Sequence, residues 1–132
     1  MSMFDAMNIA ASGLSTNRKW IDAVSDNIAG INNITSTDQA AFQERFIVAR
    51  AASYGEPKGT YVAGNMWGDP NGRLVSMPNH PLADQNGLVR VPDIDLSDQI
   101  ASLMMAQRAY QANASVAERA KTTYEAAIGI GK

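Results

Sequence analysis

Cysteine is absent from the 132 residues. That removes disulfides, thiol nucleophiles and every zinc site built on Cys ligands. Histidine occurs once, as His80, so there is no His cluster to hold a metal. Aromatic residues make up 7% of the chain, which leaves a core to be built mostly from small aliphatics. Charge of one sign is also missing: 11 Lys plus Arg stand against 13 Asp plus Glu, a formal net charge of −2. A chain that works by neutralising phosphates carries a basic excess, so nucleic acid is a poor partner. A polybasic membrane tether is lacking for the same reason. No stretch approaches the ~20 consecutive apolar residues of a membrane span. The opening Met-Ser-Met-Phe-Asp-Ala-Met has neither a basic leader nor an unbroken apolar run. A cleaved secretory signal is therefore not expected; the chain stays in the cytoplasm or is exported by a route that reads something else.

What is present is a folding sequence. Hydrophobic residues reach 45% and charged residues only 18%, unlike a disordered polyampholyte. The length suits one domain, or two long helices with something small between them.

The first 31 residues follow a heptad spacing. Met7, Leu14, Ile21 and Ile28 fall seven apart, and Met3, Ala10, Asn17, Val24 and Ile31 interleave with them. All but Asn17 are apolar, a pattern that predicts an amphipathic helix. Ser2 and Asp5 have the spacing of a capping box, and Gly30 followed by Asn32-Asn33 supplies the stop. The last third repeats the arrangement with Leu96, Leu103, Tyr110, Ala117 and Tyr124, interleaved by Ile100, Gln107, Ala114, Lys121 and Ile128. Asp95 is placed to cap this helix, Asp98 sits where the dipole favours negative charge, and Gly129 and Gly131 are read as its end. The two helices are expected to run about 40 Å and about 50 Å.

Between them, 32–41 reads as loop. Phe42–Ala49, Tyr61–Trp67, Arg73–Met77 and Leu88–Val91 read as short strands, separated by turns at 53–59, at Asp69-Pro70-Asn71-Gly72 and at 78–87. The fold class expected is mainly α: two long terminal helices packing as a coiled-coil-like pair, with a small β-rich insert. The organisation is 1–31 as an N-terminal helix, 32–92 as loop and β region, and 93–132 as a C-terminal helix.

Catalytic chemistry finds little footing. His80 lies in a Pro-flanked turn with Asp84 as its nearest acid, and no nucleophile accompanies it. Asp93, Asp95 and Asp98 lack the spacing of an EF-hand and are better read as helix-capping residues. Gly55, Gly59, Gly64, Gly68 and Gly72 form no phosphate-binding loop and are read as turn residues. No enzyme, cofactor or metal site is expected, and no small-molecule substrate. Ala10-Ala11-Ser12-Gly13 and the alanine-rich 101–120 stretch favour close helix approach. Gly13 in particular costs ~1 kcal/mol in a helix interior, which ordinary propensity does not explain. Asn17 and Gln107 on the apolar seams either fix register between helices or lie near solvent. Two narrow seams offer little large apolar surface for so much ordered helix, so the helices are expected to order fully only when neighbouring subunits add to their burial.

The ends also carry motifs. Ala11-Ser12-Gly13-Leu14 and Val24-Ser25-Asp26-Asn27-Ile28-Ala29-Gly30-Ile31-Asn32-Asn33 resemble the N-terminal signature of flagellar axial proteins, the rod, hook and hook-junction subunits. Met105-Ala106-Gln107-Arg108-Ala109-Tyr110-Gln111-Ala112-Asn113 resembles the C-terminal signature of the same family, and Ile128-Gly129-Ile130-Gly131-Lys132 is similar to its usual ending. The His80-Pro81 run through Leu96 looks like that of a rod subunit. The resemblance implies a non-enzymatic building block of the proximal rod, in the cell envelope. Its terminal helices would line a tube around the export channel and its β region would face outward. It implies as partners other rod proteins (FlgB, FlgF and FlgG-like), the rod-base adaptor FliE and the flagellar type III export apparatus, with homo- and hetero-oligomers in a helical tube. Assembly contacts are expected at Met7, Leu14, Ile21, Val24, Ile28, Leu96, Ile100, Leu103, Tyr110, Ala117 and Tyr124. The family-motif residues are Asn27, Ala29, His80, Pro81, Gln107, Arg108, Tyr110 and Asn113. Alternatives are another rod subunit (FlgB-like) or a cytoplasmic coiled-coil adaptor or secretion chaperone.

Overall fold

A computed structural model describes residues 2–53 and 55–131. Met1, Lys132 and Tyr54, the last within the turn read at 53–59, lie outside them. The elements run α1 (Met3–Gly30), β1 (Arg45–Ser53), β2 (Pro57–Trp67), β3 (Arg73–Ser76), β4 (Leu88–Val91) and α2 (Leu96–Ile130). About half the chain is helical. The strands make two two-stranded antiparallel sheets, β1–β2 and β3–β4. Among the described residues no helix is long and apolar enough to cross a membrane.

Both helix starts obey local chemistry. The Ser2 N–H donates to Asp5 Oδ2 at 2.6 Å and the Asp5 N–H to Ser2 Oγ at 3.2 Å, a reciprocal capping box with Asp in the Glu position. Asp95 Oδ1 accepts from the Ser97 and Asp98 N–H groups at 2.7 and 3.2 Å, satisfying two of the free donors of α2.

Several boundaries and one turn differ from the pattern reading; among them, β1 runs on to Ser53 rather than stopping at Ala49, and β3 ends at Ser76 rather than Met77. β1 starts at Arg45 rather than Phe42: the chain before it makes only isolated bonds, Ala41 N–H to Pro70 O, Gln43 Nε2 to Gly68 O and Gly68 N–H to Glu44 O, and no continuous ladder. β2 starts at Pro57, so Gly59 and Gly64 are strand residues and not turn residues. α2 continues through Gly129 to Ile130; a single helical Gly costs only ~1 kcal/mol and does not oblige a stop. At 69–72 only Gly72 has positive φ (56°), so the turn is not the hairpin type that Asn-Gly suggests; Asp69 Oδ1 accepts the Asn71 N–H instead, at 2.8 Å.

The chain divides into two compact units, with α1, β1, β2 and α2 each shared between them. The first comprises 1–21, 47–64 and 104–132; Ala10, Asn17 and Ala106 are its buried residues among those described. The second comprises 22–46 and 65–103, with Ala23, Val24, Asn27, Ala41, Val89, Pro92, Ile94 and Gln99 buried. There β3 pairs with β4 in the register Arg73↔Val91 to Ser76↔Leu88. The fully buried Val89 anchors this small sheet.

Candidate assembly faces and the buried amide cluster

In α1 every seam residue read from the heptad spacing is at least half-buried: Met3, Met7, Leu14, Ile21, Ile28 and Ile31 partly, Ala10, Asn17 and Val24 fully. In α2 the inward stripe is rotated from the one expected. Gln99 and Ala106 are buried, and Leu103, Tyr110, Asn113, Ala117 and Ala120 are half-buried, whereas Leu96, Ile100, Gln107, Lys121, Tyr124 and Ile128 are exposed. Ala114 of the expected stripe is half-buried too, so the inward line overlaps the expected one at 103, 110, 114 and 117 and adds Gln99, Ala106 and Asn113.

Close approach governs the first unit. A Cβ placed on Gly13 would stand 2.6 Å from Asn113 Nδ2 and 2.9 Å from its Cγ, so the amide of α2 lies against bare backbone of α1. The neighbouring Ser12 serves β2. Its Oγ donates to Ile9 O at 2.6 Å and accepts the Thr60 N–H at 3.0 Å. Thr16 and Thr60 join their hydroxyls at 3.1 Å. A Cβ on Gly59 would overlap Ser12, and Gly59 has φ +100°, so glycine is required there on two counts. Phe4 meets Tyr124 edge to face at 5.1 Å, a favoured aromatic geometry.

The second unit is held by a polar cluster that periodicity does not reveal. Asn27, 1% exposed, donates through Nδ2 to Arg45 O and Gln99 Oε1, both at 3.0 Å, and its Oδ1 accepts the Arg45 N–H at 2.8 Å. Gln99, also buried, donates to Glu44 Oε1 at 2.5 Å. The end of α1, the start of β1 and the start of α2 are thus tied through side-chain amides whose donors and acceptors match. The motif containing Asn27 marked one member; Gln99 and Glu44 carried no sequence signal.

A second knot fixes the loops. Arg90 Nη2 donates to Thr37 O at 2.7 Å, and Nη1 bonds Asn71 O. The backbones of Thr35 and Arg90 exchange two 2.9 Å bonds. Asp84 accepts the Asn86 and Leu88 N–H groups at 2.8 and 2.9 Å and the Thr37 hydroxyl at 3.1 Å. The Leu88 N–H is the chief cause of an Asp84 pKa below the usual carboxylate value. Asp5 is lowered in the same way by its bonds from Ser2.

The remaining motif residues are placed as follows. His80 is half-buried, and its Nδ1 accepts the Leu82 N–H at 3.1 Å, which closes the turn. Ala29, Pro81, Gln107 and Arg108 are exposed. Among the described residues the side chains of the cluster and the knot hold elements together.

Comparison with known proteins accounts for this. Residues 85–130 match the family model of the flagellar basal body rod FlgEFG protein C-terminal region. Over its whole length the chain is 30% identical to the flagellar basal-body rod protein FlgC of Yersinia enterocolitica, aligned over 134 residues with all of both chains covered. It is 28% identical to FlgC of Salmonella typhimurium, again with full coverage of both. With FlgC of Aquifex aeolicus it shares 29% over 127 residues, covering 95% of this chain and 94% of the other. Two capped helices around a small β insert, with the motif residues Asn27 and Asn113 at close contacts, are therefore the parts of a structural rod subunit, and the chain belongs to the FlgC family of flagellar basal-body rod proteins.

Proposed function

We propose that this rod subunit occupies the proximal rod, in the cell envelope. Its terminal segments 1–31 and 93–132 pack as a coiled-coil-like pair lining the tube around the export channel, and 32–92 faces outward. The supporting observation is the exposed apolar surface of α2: Leu96, Ile100, Met104, Met105, Val116, Tyr124, Ile128 and Ile130 are each between 37% and 87% exposed. A soluble monomer rarely leaves so much large apolar surface in one element, whereas a subunit that meets neighbours does. The expected contacts on α1 are already half covered within the chain, so α2 offers most of what neighbours would bury.

The neighbours are other rod proteins (FlgB, FlgF and FlgG-like) and the adaptor FliE. The chain reaches them through the flagellar type III export apparatus, and acts as a structural part rather than a catalyst. Fractionation of purified basal bodies tests the reading: the chain is expected in the rod and not in hook or filament. Recovery as a stable cytoplasmic oligomer would refute it.

A further inference from the structure

We propose that Asn71 and Asn86 are sites of spontaneous covalent modification, each converting through a cyclic imide to aspartate or isoaspartate, and that the aspartate heading each turn, Asp69 or Asp84, restrains the reaction in the folded chain.

Only these two asparagines precede a glycine. The chemistry needs no reagent but water. The main-chain nitrogen of the following residue gives its proton to solvent and attacks the side-chain Cγ. A C–N bond forms there, the side-chain nitrogen leaves as ammonia, and a five-membered imide remains. Water then opens the imide at either carbonyl. One opening gives aspartate. The other gives isoaspartate, whose main chain runs through the former side chain and is one methylene longer. Glycine favours the attack because no Cβ shields its nitrogen.

The two sites are built alike. Asp69-Pro70-Asn71-Gly72 and Asp84-Gln85-Asn86-Gly87 are the same Asp-x-Asn-Gly turn, one leading into β3 and one into β4. In each, the aspartate Oδ1 accepts the asparagine N–H at 2.8 Å. The main-chain carbonyl of the same aspartate accepts the glycine N–H, at 3.3 Å from Gly72 and 3.0 Å from Gly87. Both glycines have positive φ, 56° and 73°. Both asparagines are exposed, so water reaches them. What the fold withholds is the nucleophile: the nitrogen that must attack is the one whose N–H is held by the turn. The reaction therefore proceeds at the rate set by the open fraction of each turn.

At 69–72 there is no slack for the product. A Cβ on Gly72 would overlap Val91 O and stand 2.7 Å from Ala41 Cβ. The longer main chain of an isoaspartate at 71 does not fit that seat, so modification there is a one-way loss of the folded turn.

The test incubates purified basal bodies at mildly alkaline pH, intact or dissolved in urea. Peptides of this chain are followed by mass spectrometry, and isoaspartate is read by enzymatic methylation. In urea, Asn71 and Asn86 are expected to convert ahead of every other asparagine, with isoaspartate among the products. In intact basal bodies both are expected to convert at least ~10-fold more slowly. Asp84→Ala is expected to raise the Asn86 rate in intact basal bodies ~5-fold or more while the Asn71 rate stays the same. Asp84→Asn, which keeps an acceptor for the Asn86 N–H, is expected to stay slow. Equal Asn86 rates in urea and in intact basal bodies overturn the proposal, as does faster conversion of any other asparagine. An Asn86 rate indifferent to Asp84→Ala overturns the restraining role of the aspartate. If the Asp84→Ala chain does not enter the rod, Asp69→Ala decides by the same criteria with the two asparagines exchanged, since the Asp69 carboxylate bonds only its own turn among the described residues.

Discussion

Asn113 of α2 lies across Gly13 of α1 so closely that a methyl group at position 13 would stand 2.6 Å from its amide nitrogen. Two effects then oppose each other in Gly13→Ala. Helix propensity gains ~1 kcal/mol, and the amide must move. Gly13→Ala alone is expected to change stability by less than ~1 kcal/mol in either direction, because the obstructing atoms belong to a side chain. In an Asn113→Ala background the obstacle is gone and Gly13→Ala is expected to stabilise by up to ~1 kcal/mol. Gly13→Leu is expected to cost ~2–3 kcal/mol, as overpacked sites do. Urea denaturation of the three variants and the double mutant measures the coupling.

Asn27 makes three hydrogen bonds from a site that is 1% exposed. Asn27→Ala strands the Arg45 N–H and C=O and the Gln99 amide oxygen, and is expected to cost ~2–4 kcal/mol. Asn27→Asp keeps the shape but loses both donated bonds and aims a carboxylate at two acceptors, so it is expected to be no better. Denaturation midpoints and swimming in soft agar check both. An Asn27→Asp chain as stable as the parent would show that the cluster contributes nothing.

Two glycines of β2 have opposite surroundings. Gly59 has φ +100° and no room beside Ser12, while Gly64 has nothing within 4 Å of its missing side chain. Gly59→Ala is expected to destabilise by ~1–3 kcal/mol through strain and displacement of Ser12. Gly64→Ala is expected to be neutral or mildly stabilising. Melting temperatures of the pair decide it, each variant serving as the control for the other.

Asp84 is bonded in its charged form, and its folded pKa lies below the ordinary carboxylate value. For a depressed carboxylate the stabilising contribution is full above the unfolded pKa, near ~3.9. It is lost as pH falls through the lower folded value. The 84–88 turn is therefore expected to stay closed at neutral and mildly acidic pH and to loosen only below pH ~4. Carboxyl titration by NMR should give a midpoint below that of a free aspartate. Asp84→Asn retains the acceptor for Leu88 and Asn86, and should remove the pH dependence while leaving the turn formed.

Leu103→Asp is expected to block assembly, but Leu103 is half-buried within its own chain, so it also lowers stability. Ile100 is 46% exposed, and Ile100→Asp is expected to keep the parent melting temperature within a few degrees while abolishing motility. Circular dichroism with a swimming assay separates the two cases. Normal rods in the Ile100→Asp strain would remove that residue from the interface.

Local rules were sufficient for the two helix starts and for one helix face, though not for the starts of β1 and β2 or the end of α2. The Ser2–Asp5 box and the Asp95 cap are made by bonds between residues two or three apart, and the α1 seam is written in its own periodicity. The function class was legible for a similar reason, since the signatures at both ends are short contiguous runs.

What only the tertiary structure decided is which side of α2 turns inward and how the second unit is tied. A heptad count follows the largest apolar residues. The inward line of α2 instead runs through Gln99, Ala106 and Asn113, with Asn113 set against the bare backbone of Gly13. The Asn27–Gln99–Glu44 cluster joins residues up to 72 positions apart. No pattern within one segment encodes a hydrogen bond whose acceptor is delivered by another, so composition and spacing determined the parts, and packing determined their faces.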